Sequence, residues 1–145
     1  MRQAGPVWKA FAGLGSCRKP CLEKGMTGGI FMENCIFCKI AAKQIPATVV
    51  YEDESVLAFH DIHPVAPVHV LIIPKIHREN VMGLGEEDSA VLFAVHAAAK
   101  KVAEKLGIAE KGFRLITNCG PDAGQTVFHL HYHLIGGRDL GPKLL

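Results

Sequence analysis

The chain has 145 residues, 49% of them apolar and 21% charged, which is the make-up of one compact domain and excludes a wholly disordered chain or a large multidomain machine. Its best apolar stretch, Ala90 to Ala99 with His96 inside it, falls short of the ~20 residues a bilayer span requires, so no membrane association is expected. The net charge of +2 divides unevenly: residues 1–31 hold five basic residues and one acid, residues 32–145 hold 11 basic and 13 acidic ones. A mildly acidic body lacks the basic surface of a nucleic-acid binder, so a bound phosphate must be held by local geometry.

Residues 1–31 read as an irregular leader and residues 32–145 as the domain, with packing starting near Glu33. Gly5, Pro6, Gly13, Gly15, Pro20, Gly25, Gly28 and Gly29 interrupt any regular pattern in the leader. Lys9 splits the one apolar run that could serve a secretory signal. The leader reads as an upstream extension with Met26 or Met32 as the functional start, its basic character leaving an organelle transit peptide as the alternative. Five cysteines is an odd number, and without a secretory signal they do not suggest a disulfide framework, so a cytoplasmic protein is expected. Cys17, Cys21, Cys35 and Cys38 have ribbon-like zinc spacing, although the first pair falls in the leader, and Cys119 reads as a small buried filler.

In chain order, residues 34–42 form a short helix opened by Asn34 as N-cap. Val49–Glu52 and Val56–His60 read as strands joined by an acidic hairpin turn. Pro64 and Pro67 precede His69–Pro74, a nearly all-apolar run that reads as a buried strand. Leu92, Val95, Ala99, Val102 and Leu106 then form one helical stripe. Glu86, Glu87 and Asp88 suit its positive end, Lys100, Lys101 and Lys105 its negative end, and Gly107 stops it. Phe113–Asn118 and Phe128–Ile135 complete the chain as two strands around a glycine-bearing loop. This order implies an α+β fold with a mainly antiparallel five-stranded sheet and two helices.

The segment Phe128-His-Leu-His-Tyr-His-Leu134 carries the chemistry. Strand side chains alternate faces, so His129, His131 and His133 share one face and Leu130, Tyr132 and Leu134 the other. Three imidazoles in strict alternation are hard to explain as structural residues. They could bind a catalytic metal, or one could be a nucleophile oriented by its neighbours. The upstream loop, Asn118-Cys-Gly-Pro-Asp-Ala-Gly-Gln-Thr126, favours the second reading. Its backbone N–H groups, the Gln125 amide and the Thr126 hydroxyl could hold phosphate oxygens, which a purely metal-binding strand does not need.

This segment, with G-Q-T-V-F before it and G-G-R after it, resembles the signature of the histidine triad (HIT) family. The resemblance spans nearly all of residues 33–140. It includes C-I-F-C-K-I, V-Y-E-D, L-A-F-H-D-I, A-P-V-H, I-P-K-x-H and N-C-G, and it is strongest to the Hint-like branch of nucleoside phosphoramidases. The resemblance implies a HIT-like fold whose subunits pair into a homodimer with one ten-stranded sheet.

The resemblance also implies roles for individual residues. His131 would attack the α-phosphorus of a purine nucleotide and carry a nucleotidyl-histidine intermediate, which water then hydrolyses. A neutral imidazole is available near pH 7 because its unperturbed pKa is ~6.5. His133 would contact the phosphate or the leaving group, and His69 would line the same pocket. Asn118, Gln125 and Thr126 would hold phosphate oxygens, Thr126 standing where most Hint-like members carry serine. Asp61 would hold both ribose hydroxyls. Phe59, His60, Ile62, Ile36 and Ile45 are candidates for the purine slot.

Bacterial-type relatives with C-x-x-C hold a structural zinc, and the matching set here is Cys35, Cys38, His77 and His129, with His129 also in the catalytic triad. Four such ligands close a tetrahedral site and fix the foot of the catalytic strand; the alternative is two cysteines buried at a helix start. No organic cofactor is implied. The chain ends without the Trp-Pro-Pro tail of eukaryotic Hint proteins, which shapes leaving-group preference in the family. The expected activity is hydrolysis of purine nucleoside phosphoramidates such as AMP joined to an amine. The alternatives are dinucleoside polyphosphate hydrolysis on the same scaffold, and a nucleotide- or zinc-binding interaction protein whose hydrolysis is incidental.

Overall fold

The computed structural model describes residues 31–143; residues 1–30, with Met26 and the Cys17–Cys21 pair, lie outside the described residues. Helix α1 (Ile36–Ala41) is followed by strands β1 (Val49–Glu52), β2 (Val56–His60) and β3 (Val68–Pro74), helix α2 (Ser89–Lys105), and strands β4 (Phe113–Ile116) and β5 (Tyr132–Gly136). The five strands form one antiparallel sheet in the order β1-β2-β3-β5-β4. β1 to β3 form a meander, α2 carries the chain across one face to the far edge, and β5 returns between β3 and β4.

Both faces of the sheet are covered, and strand alternation decides what each face receives. Val56, Ala58, Val70, Ile72, Tyr132 and Leu134 point to the face under α2, where they meet Val95, Ala98, Ala99 and Val102. Alanines at those helix positions let α2 lie close to the strands. Leu57, Phe59, Leu71 and Ile73 point the other way and pack with Phe37 of α1. His69 on β3 and His133 on β5 share parity with this second set, so they open on the α1 side.

Several boundaries differ from the sequence expectation. The N-cap of α1 is Cys35, whose Sγ accepts the Cys38 N–H, whereas Asn34 lies exposed one residue earlier. Strand β5 begins at Tyr132 rather than Phe128, so only His133 of the triad lies on the strand proper. The reason lies in two carbonyls, one at the last residue of β3 and one beyond it: Pro74 accepts the His129 ring N–H, Arg78 accepts the Leu130 N–H, and residues 127–131 follow these partners instead of the β3 ladder. β4 stops at Ile116, and Gly120–Gly124 closes as a 3-10 turn with Gly124 at φ 79°, a conformation that glycine adopts without penalty. Gly107, at φ 70°, ends α2 as expected.

The acids before α2 act differently from the expected helix-end charges. Glu86–Asp88 form a separate 3-10 turn, and the Asp88 side chain makes no cap bond to α2. Asp88, 2% exposed, is instead clamped in a bidentate pair by Arg78 (Nε to Oδ2 3.0 Å, NH2 to Oδ1 2.9 Å) and accepts the Gly85 N–H. The guanidinium holds the Asp88 carboxyl below the usual carboxylate range. Asp88→Asn is expected to destabilise the fold by about 3 kcal/mol, the lower end for breaking a buried pair because Arg78 keeps some exposure. Urea unfolding of the variant checks this, and an unchanged midpoint contradicts it.

Candidate active site and metal-ligand cluster

Neighbouring strands bring the histidines together. His69 pairs with Ile135, and Leu71 with His133, across the β3–β5 ladder. That register sets His69 and His133 diagonally on one face, with rings 5.2 Å apart. His131, just before β5, keeps the same parity, and its ring lies 5.1 Å from that of His133. The period of two therefore survives without the ladder. Leu130 is buried under α2 while His129 and His131 face Phe37.

Hydrogen bonds assign the ring protons. His131 Nδ1 lies 2.7 Å from the His129 carbonyl, which can only accept, so the proton is on Nδ1 and the Nε2 lone pair is left free. Thr117 Oγ1 donates to the His131 carbonyl at 2.8 Å, fixing the backbone from β4. His69 Nδ1 accepts from Val65 N–H, so its proton is on Nε2, 2.9 Å from His133 Nδ1 and 3.4 Å from an Asp61 carboxylate oxygen. His133 consequently carries its own proton on Nε2. Burial, followed by neighbouring His131 and His69, pushes the His133 pKa down to about 4, against a smaller opposing pull from Asp61. His133 is therefore a neutral N–H donor at pH 7.

The depressed His133 value has a consequence for stability. Between the unfolded value of ~6.5 and about 4 the unfolded chain binds a proton that the folded ring refuses. Stability is therefore expected to fall as pH drops through that window and to be insensitive to this group above it. Denaturant midpoints from about pH 7.5 to about pH 4.5 read the effect, and a flat profile contradicts it.

Cys35 Sγ and Cys38 Sγ lie 3.4 and 3.5 Å from His129 Nδ1, His77 Nδ1 lies 3.3 Å from it, and Cys38 Sγ lies 3.4 Å from His77 Nδ1. Zinc bonds of about 2.05 Å to nitrogen and 2.3 Å to sulfur give tetrahedral edges of roughly 3.3–3.8 Å. The donor set thus fits a zinc-sized ion. His129 Nε2 is 2.9 Å from the Pro74 carbonyl, so it donates there and turns the Nδ1 lone pair to the cluster. Burial pushes the His129 pKa down to about 4, which keeps that lone pair available.

The remaining candidates separate. Asp61 follows β2, half-buried beside His69, and its Oδ1 accepts the His63 N–H. Asn118 is half-buried beyond β4, and Thr126 is exposed. Gln125 is buried with its amide fully engaged: Oε1 accepts from Gly120 N–H, and Nε2 donates to the Glu79 and Val127 carbonyls at 2.7 and 3.1 Å. Phe59 is buried beside Phe37, with ring centroids 5.8 Å apart. Ile36, His60 and Ile62 are exposed. Ile45 lines a groove of about 310 Å³ with Ile40, Ala47 and Leu57, next to the second core cluster. Cys119 is half-buried rather than buried. A cavity of about 600 Å³ among Pro67, Leu106, Lys111 and Arg138 shares none of the histidine-site residues.

Sequence reasoning missed Phe37, whose ring meets both His129 and His131 edge-on at 5.9 and 5.3 Å. Its position in an apolar helix gives no sign of that placement. The Thr117 bond and the Pro74, Arg78 and Glu79 carbonyls were also not legible, because main-chain acceptors leave no mark in composition.

The HIT domain family model matches residues 42–140. The chain is 48% identical over 112 residues to purine nucleoside phosphoramidase of Escherichia coli (strain K12), covering 77% of this chain and 94% of that protein. It is 45% identical over 105 residues to Protein HitA of Neisseria gonorrhoeae, covering 72% and 97%. Among solved structures, a HIT family hydrolase from Clostridium thermocellum matches with TM-score 0.77 and 64% identity, covering 79% of this chain and 99% of that one. A histidine triad protein from Clostridium difficile matches with TM-score 0.76 and 44% identity, again covering 79% and 99%. With its histidine strand, its preceding loop and its sheet all inside the matched region, the chain belongs to the HIT family.

Proposed function

We propose that the protein is a nucleotide hydrolase that cleaves purine nucleoside phosphoramidates, and that His131 is its nucleophile. The observation that carries this reading is the His131 ring, whose Nδ1 proton is committed to the His129 carbonyl so that Nε2 is free to attack. The similarity to a purine nucleoside phosphoramidase supports the substrate class. In the first step a bond forms between Nε2 and the α-phosphorus while the bond from phosphorus to the amine breaks. The departing amine takes up a proton, and water then cleaves the nucleotidyl-histidine to release AMP. His133, neutral with its proton on Nε2, donates a hydrogen bond to the phosphate or leaving group. His69 supports it from Nε2, and Asp61 accepts from the ribose hydroxyls.

Asn118 and Thr126 hold phosphate oxygens in this reading. Gln125 acts by bracing the loop that carries them, since its amide is already satisfied. Cys35, Cys38, His77 and His129 would hold a zinc ion, which supplies a closed structural cross-link. Phe59 forms the floor of the purine slot, with Ile36, Ile45, His60 and Ile62 as rim candidates. A homodimer completes the reading: β4 is an edge strand with one unpaired row, and a second copy would extend five strands to ten. Among the described residues no helix is long and apolar enough to cross a membrane, and a cytoplasmic site of action is in keeping with the two thiols of the metal set.

Mass spectrometry of protein mixed briefly with an isotopically labelled adenylyl-amine tests the reading. An adenylyl adduct mapped to His131 is expected. An adduct on another side chain, or faster cleavage of diadenosine polyphosphate than of the amine, overturns it.

A further inference from the structure

We propose that Cys35 and Cys38 form a peroxide-reactive dithiol, and that its oxidation to a disulfide ejects the metal and loosens the carbonyl that holds His131. The proposal rests on the metal set described above, and its consequence for turnover rests on the hydrolase reading.

The two thiols are arranged for mutual reaction. Cys35 is the N-cap of α1 and Cys38 lies one turn on, so their side chains share a helix face. The Cys35 Sγ accepts the Cys38 N–H, and both sulfurs lie within 3.5 Å of the same atom, His129 Nδ1. The two sulfurs lie within 4.8 Å of each other, a gap that turning the two side chains about their Cα–Cβ bonds can close to a disulfide. Accessibility divides the roles: Cys35 is half-buried, and Cys38 is 2% exposed. An oxidant reaches Cys35 first, and Cys38 is placed to resolve it.

The reaction balances with a hydroperoxide as oxidant. Cys35 sulfur attacks the peroxide O–O bond, forming a sulfenic acid and releasing an alcohol, or water when the peroxide is hydrogen peroxide. Cys38 sulfur then displaces the sulfenic oxygen as water, forming the S–S bond. Two thiols lose two hydrogens and two electrons, and the peroxide is reduced. The metal set is left with two imidazole nitrogens, too few to hold zinc.

The coupling to the active site runs through a single residue. His129 presents Nδ1 to both sulfurs, Nε2 to the Pro74 carbonyl, and its own carbonyl to His131 Nδ1 at 2.7 Å. Loss of the metal removes one of its two ring anchors. The bond that sets the His131 proton on Nδ1 then loosens.

The test uses the full chain with Cys17→Ser, Cys21→Ser and Cys119→Ser, so that only the pair remains, loaded with zinc and titrated with hydrogen peroxide. The mass is expected to fall by two hydrogens per subunit, with one zinc released to a chromogenic chelator for each disulfide formed. The His131 Nδ1–H proton resonance should broaden or shift in step, and thiol reductant with added zinc should reverse all three. Zinc retained with both thiols still alkylatable overturns the proposal, as does Cys35 proceeding to sulfinic acid without a disulfide, or an unmoved His131 resonance after zinc release. These readings need no substrate, so they stand apart from the hydrolase reading; a chain that takes up no zinc refutes the metal reading before peroxide is added.

Discussion

His131→Ala is expected to lower turnover on an adenylyl-amine by about 10³–10⁶-fold, the range seen when a covalent nucleophile is removed. AMP should still bind with little change, because Asp61, Asn118, Thr126 and the apolar wall around Phe37 and Phe59 remain. The split between a collapsed kcat and a preserved nucleotide affinity marks a group that acts in the chemical step rather than in binding. Titration with labelled AMP and single-turnover kinetics measure both. Turnover near that of the parent protein would exclude His131 as the nucleophile. A variant that loses AMP as well would point instead to a structural role, since the ring packs against Phe37 and its Nδ1 donates to the His129 carbonyl.

The second large effect concerns the metal set. About one zinc per subunit is expected in the purified protein, and Cys35→Ser should lose it, since a serine hydroxyl is a poor substitute for a thiolate. Binding free energy at such a site adds directly to folding free energy. The thermal midpoint is therefore expected to fall by roughly 10 °C or more in the variant, or after chelation. The loss should act on activity too, because His129 connects the cluster to the His131 ring through its carbonyl. Elemental analysis and scanning calorimetry check both points, and protein free of zinc with an unchanged midpoint contradicts them.

The extent to which the site was legible varied with the kind of interaction. Cys35, Cys38, His77 and His129 were assembled from a family resemblance, and the fold then brought their donor atoms within 4.8 Å of one another, a set that could hold a metal ion. The facing of His129, His131 and His133 followed from alternation alone, although the ladder reaches only His133. Gln125 shows the opposite case. Its type suited a phosphate ligand, but Gly120, Glu79 and Val127 already satisfy it, and these are main-chain partners, one of them 46 residues away in sequence. Asp88 likewise looked like a helix-end charge and is the buried partner of Arg78.

By itself the sequence determined the periodicities: the α2 stripe, the two-sided strands, the shared face of the histidines and the stop at Gly107. These depend on local geometry, which residue spacing encodes directly. Tertiary structure alone decided which ring nitrogen carries a proton, where β5 begins, and that Phe37 borders both His129 and His131. Each of those depends on a carbonyl, amide or ring brought near by the closing of the sheet, and the free energy of such a contact belongs to the pair rather than to either residue's place in the chain.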